Sequence, residues 1–160
     1  MVRRAVCFTL TLLALGLSAP RAHAQLNPGI HVARAADLFG GTNGVGGSVE
    51  LSFPLFPLDV FVAGEYFFPD CGARTDCSFM GGSADLHVNL PVPMLTPYAT
   101  GGLVYRRTDV GAGAGAVAKT GYGLGLGVHL GAIAVGAYGE VRYEVVDPDD
   151  QVVIRVGLRF

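Results

Sequence analysis

The last ten residues, QVVIRVGLRF, place Val152, Ile154, Val156, Leu158 and Phe160 at every second position and set Arg155 and Arg159 between them. Strict alternation is the pattern of a β-strand with two unlike faces. It recurs along the chain as eight runs: Gly29–Leu38, Val45–Phe53, Leu58–Phe68, Phe79–Leu90, Pro97–Arg106, Thr120–Leu130, Ile133–Val145 and Gln151–Phe160. Turn-forming stretches divide them: FGGTNG, PLFP, PDCGARTDC, PVPML, RTDVGAGAGAVAK, Gly131-Ala132 and VDPDD. No helical period survives after residue 24. The expected fold class is all-β, an antiparallel up-and-down meander of eight strands.

The faces are consistently unlike. Val45, Val49, Leu51 and Phe53 oppose Ser48, Glu50 and Ser52; Leu86 and Val88 oppose Asp85, His87 and Asn89. Leu124, Leu126, Val128 and Leu130 oppose Gly123, Gly125, Gly127 and His129, and Val141, Tyr143 and Val145 oppose Glu140, Arg142 and Glu144. The first run is the poorest fit, because Arg34 shares a face with Ile30 and Val32. In the fifth, Tyr98 and Tyr105 lie seven apart and point opposite ways unless Gly101-Gly102 hosts a bulge.

The chain opens with MVRRAVCFTLTLLALGLSAPRAHAQ. Arg3 and Arg4 precede an apolar run that is short for a bilayer-spanning helix of ~20 residues. Ala22-His23-Ala24 is a small-x-small cleavage site, so residues 1–24 read as a cleaved signal peptide and residues 25–160 as the mature domain. Three of the eleven Lys and Arg residues fall in the leader, leaving eight against thirteen acids, a net charge of −5 that offers nothing to nucleic acid. Cys71 and Cys77 remain in PDCGARTDCS; in an exported chain two neighbouring thiols read as a disulfide across a short loop. Two thiolates with no histidine in the loop do not fill a zinc site.

YGLGLGVHLGAIAVGAYG is apolar enough for a membrane helix and carries Gly123, Gly127 and Gly131 at GxxxG spacing. Gly121 and Gly125 interleave with that set, so the period is two, and each Gly costs a helix about 1 kcal/mol. As a dinucleotide loop the stretch lacks a following helix and an acidic ribose partner. The remaining alternative is a soluble lipocalin-like barrel with its apolar face inward. Against it, Gly and Ser fill the polar face. Aromatics also gather at strand ends: Phe53, Phe56, Tyr98 and Phe160 at one, Tyr66, Phe68, Tyr105, Tyr122 and Tyr143 at the other. Paired aromatic girdles match the two membrane interfaces, and closing the sheet leaves no unpaired edge for lipid to penalise.

With the leader, the eight runs, PYATGGLVYR, GLGLGVHLG, GEVRYEV and the terminal Phe160, the stretch Gln25–Phe160 resembles the small bacterial outer-membrane β-barrel proteins of the OmpA/OmpX-like eight-stranded type. The resemblance implies a transmembrane β-barrel in the bacterial outer membrane with membrane lipid around it; the even strand count puts both termini on the periplasmic side, and a monomer is expected. It also implies that Ile154, Val156, Leu158 and Phe160 are the address read by the barrel-assembly machinery. The glycine often found a few residues upstream is here Gly157, closer to the end than usual.

The polar face would line the lumen with a charge network of Glu50, Glu65, Asp85, His87, Glu140, Arg142, Arg155 and Arg159. Eight strands leave an interior about filled by side chains, and charges there must pair, so a salt-bridged plug is expected and a narrow porin-like path for solutes or ions is its rival. Some small barrels hydrolyse lipid A acyl chains with Ser, His and acid; here no Ser follows His87, and Ser83, Asp85 and His87 share the inward face. A third role, binding through outer loops, rests on the Cys71–Cys77 loop and on Arg106–Lys119, with Arg106, Arg107, Asp109 and Lys119. No external ligand, metal or cofactor is implied, and no catalytic residue is assigned.

Overall fold

In a computed structural model the chain is a closed barrel in which each strand pairs with its sequence neighbours and the eighth returns to the first. The structure describes residues 25–37, 40–53, 56–70, 77–90, 92, 95–109, 115–132, 135–147 and 150–160. The leader and Cys71, and with it the Cys71–Cys77 pairing, lie outside these residues. The strands are β1 (Gln25–Asp37), β2 (Gly40–Ser52), β3 (Leu58–Phe67), β4 (Ser78–Asn89), β5 (Leu95–Asp109), β6 (Ala116–Ala132), β7 (Val135–Val145) and β8 (Gln151–Arg159). Every neighbouring pair is antiparallel. The end carrying both termini, with the β2–β3, β4–β5 and β6–β7 connections, is called the turn end here; the other four connections form the loop end.

Alternation places the apolar faces outside. Leu126 is 69% exposed and Leu124 65%, while Glu140 is 2% exposed and Arg155 fully buried. Val141, Ile154, Val156 and Leu158 are likewise exposed. This inverts an ordinary globule, whose charges face water, and it excludes an apolar-lined, lipocalin-like interior. Tyr66, Phe68, Tyr105, Tyr122 and Tyr143 stand exposed around the loop end, and Phe56 and Phe160 around the turn end. Phe160 N donates to Pro28 O at 2.9 Å, extending the closure between β8 and β1 by one residue.

Several expectations need correction. The β5 register runs one-to-one through Gly101 and Gly102 with no bulge, so Tyr98 points inward and is buried, leaving the turn-end girdle without it. FGGTNG is mostly ladder: Asp37 pairs with Gly40 and Arg34 with Asn43, whose Oδ1 accepts from Arg34 Nη1 at 3.3 Å on the outer surface. Residues 106–119 are not one loop, because Arg106 pairs with Lys119 and Asp109 with Ala116. Small residues carry little strand propensity, but backbone pairing against β5 outweighs that. Just before β6, Gly115 has φ 75°, the left-handed conformation that suits Gly. Gly131 and Ala132, assigned to a turn, lie in the ladder instead, since Gly131 pairs with Gly136 and Ala132 with Val135.

Interior glycines have a specific use. A Cβ on Gly127 would sit 2.2 Å from Tyr98 Cζ, and one on Gly123 would sit 2.2 Å from Arg142 Nε. Each missing side chain seats a large one from the adjacent strand, which is how eight strands enclose so many guanidinium and aromatic groups.

Candidate functional site: the charged lumen

The inward positions of all eight strands meet in one lumen. At the loop-end half, Arg106 on β5 reaches across to β7 and β3. Its Nε donates to Glu144 Oε2 at 2.9 Å, its Nη2 to Glu144 Oε1 at 2.6 Å, and its Nη1 to Glu65 Oε2 at 2.8 Å. The same guanidinium lies 5.5 Å from the Phe67 ring centroid and 5.9 Å from that of Phe79, and those rings stack at 4.8 Å. Arg155 on β8 is the next link. Its Nε donates to Glu65 Oε1 at 2.6 Å, its Nη1 to Glu140 Oε1 at 2.7 Å and its Nη2 to Ser83 Oγ at 3.3 Å. Arg142 Nη1 donates to Asp85 Oδ2, and Arg142 Nε lies 3.4 Å from Glu144 Oε1.

Below this layer Tyr98 Oη donates to Glu140 Oε2 at 3.1 Å. Rings stack in sequence here, Phe61 on His87 at 4.7 Å, His87 on Tyr98 at 4.4 Å, and Tyr98 on His129 at 4.4 Å. At the turn end Arg159, with 28% of its side chain exposed, donates from Nη1 to Glu50 Oε1 at 2.7 Å. Asn89 Nδ2 donates to Asp59 Oδ2 beside it.

The eight lumen residues named from sequence therefore all face inward, and seven of them are buried, Arg159 being the exception at the rim. Arg106 belongs with them and not with an outer loop: the low-complexity GAGAGAV beside it masks a strand, yet its parity with Tyr98, Thr100 and Val104 gives its direction. Glu144, on the same face as Glu140 and Arg142, lies within ion-pair distance of three arginines, Arg106, Arg142 and Arg155. His31, Asp59 and His129 are also buried. Pairing across strands far apart in sequence, such as Arg155 with Glu65, left no local signal.

Ser83 Oγ accepts from Arg155 and Asp85 accepts from Arg142, so each is engaged by an arginine, while His87 faces Glu50 and Glu140, each at 3.6 Å. Two cavities flank the charged layers: one of about 540 Å³ at the turn end, lined by Asp59, His129 and Arg159 among others, and one of about 240 Å³ at the loop end beside Arg106 and Lys119. Among the described residues they share no lining residue.

No protein family model and no curated protein matches the sequence. Solved structures do resemble the fold. Neisserial surface protein A aligns with a TM-score of 0.60 at 19% identity, covering 84% of this chain and 94% of that one. The N-terminal β-barrel domain of Pseudomonas aeruginosa OprF gives 0.63 at 15%, covering 86% and 100%. Ail, the attachment invasion locus protein of Yersinia pestis, gives 0.59 at 14%, covering 84% and 96%. At these identities the likeness is one of fold: the chain has the closed eight-stranded barrel found in these proteins.

Proposed function

We propose that the protein is a monomeric outer-membrane barrel whose lumen is filled by ion pairs and whose role is structural or surface-interacting, not transport or catalysis. One observation carries the reading: an apolar exterior surrounds a layer of buried arginines and carboxylates that span the barrel from β3 to β5, β7 and β8. Bilayer hydrocarbon accepts the first, and only mutual pairing makes the second tolerable. In this reading residues 1–24 are removed on export and both termini face the periplasm. The β8 residues Ile154, Val156, Leu158 and Phe160 are read by the assembly machinery. The loop-end connections, stiffened by a Cys71–Cys77 disulfide, face outward, where a rigid scaffold carries its interactions.

The test is conductance in a planar bilayer together with gel mobility before and after boiling. A plugged barrel shifts in mobility on boiling and conducts no steady current. Stable, large-amplitude channels would favour the narrow-path alternative, for which the turn-end cavity is the supporting feature. Loss of an acyl chain from lipid A in cells making the protein would overturn the non-enzymatic reading.

A further inference from the structure

Glu50, His87 and His129 converge near the turn end from β2, β4 and β6, and the ion-pair network leaves part of each unused. Glu50 Oε2 lies 3.6 Å from His87 Nδ1 and 3.5 Å from His129 Nε2. One ligand atom from each residue falls within 4.8 Å of the other two. All three residues are more than nine-tenths buried. Among the described residues, Glu50 Oε2 and all four imidazole nitrogens of His87 and His129 make no hydrogen bond. Buried polar atoms in that condition are costly. The separations are too long for hydrogen bonds, yet they are close to the ~3.3 Å ligand–ligand edges of a tetrahedron with bonds near 2.0–2.1 Å.

We propose that Glu50, His87 and His129 bind a divalent transition-metal ion of the zinc type. Two imidazoles and one carboxylate suit zinc, copper or nickel, whereas magnesium and calcium favour all-oxygen sites. The supports of such a site are present. Glu50 Oε1 is held by Arg159 Nη1 at 2.7 Å and by Ser52 Oγ at 3.3 Å, which leaves Oε2 for the ion. His87 is clamped between the rings of Phe61 and Tyr98, which holds its orientation, and its Nε2 faces Glu140 Oε2 at 3.6 Å. The turn-end cavity reaches His129 and gives an entry path. Three protein ligands leave one position of a four-coordinate ion for water.

The folded chain in detergent, stripped with chelator, is titrated with zinc chloride by calorimetry, and with cobalt chloride by absorption. One ion per chain is expected, with the cobalt spectrum of a four-coordinate site. Glu50→Gln and His129→Gln should each weaken binding by more than about tenfold, the effect of altering outer-shell partners alone. His31→Gln, at a lumen histidine outside the cluster, should not. Because a lumen variant can fail to fold, nitrogen chemical shifts of the wild-type histidines provide the second readout: zinc should move those of His87 and His129 and leave His31 in place. Absence of saturable zinc binding would overturn the proposal, as would competition by equimolar magnesium or shifts shared equally by His31. So would an imidazolium pair on Glu50 that zinc leaves unchanged.

Discussion

Arg155 has no exposed surface and divides its guanidinium between Glu65 and Glu140. Removing it leaves Glu65 to Arg106 and Glu140 to the Tyr98 hydroxyl, so Glu140 loses its cation in a low-dielectric interior, and breaking a buried pair in this way typically costs about 3–5 kcal/mol. Arg155→Leu should lower the urea midpoint of the folded barrel accordingly. Arg155→Lys should recover little, because an ammonium cannot present a planar fork to two acceptors. Unchanged midpoints would mean that the network is not holding the lumen together. The glycines make an independent claim. A Cβ at Gly102 would meet Ala84 O at 2.1 Å and Asp85 Cα at 2.7 Å, both backbone, so Gly102→Ala should destabilise by about 1–3 kcal/mol. Gly139, with no atom within 4 Å of the added Cβ, is the matched control, and its Ala variant should be neutral or slightly stabilising. At this scale the sequence was legible in direction but not in partnership. Parity tells that Glu65 and Arg155 face inward, while barrel closure and shear bring them together across ninety residues.

At the scale of the strand, β6 shows what alternation does and does not reveal. Its outward row, with Leu124 and Leu126 exposed, and its inward row of Gly123, Gly125, Gly127 and His129 follow from period two alone. The ends of the strand do not. Ala116, Val117 and Ala118 lie in low-complexity sequence and are recruited by pairing to β5, and Gly131 sits in the ladder although glycine usually marks a break. The strand's outer face carries its own prediction. Leu126→Arg should destabilise the barrel in lipid by about 2–4 kcal/mol, the cost of Arg near the bilayer midplane. Measured as refolding equilibria in vesicles, a negligible effect would place that face in water. Tyr98 marks the limit of reading aromatics by position: near a strand end it counts as girdle, but its even-numbered parity on β5 turns it into the lumen, where Gly127 makes room for its ring.

For the whole molecule, eight strands, antiparallel order, closure and inverted polarity were all legible, since each follows from repeated alternation and the need to pair every backbone edge. The clustering of Glu50, His87 and His129 was not, because three separate strands contribute one residue each. The account depends on hydrocarbon meeting the outer face. The chain has no tryptophan, so a Leu126→Trp variant places one indole on that face alone. The decisive measurement is its fluorescence in vesicles with brominated acyl chains. The account predicts blue-shifted emission, strong quenching by the brominated chains and protection from aqueous iodide. Red-shifted emission, quenched by iodide and indifferent to bromine, would contradict it.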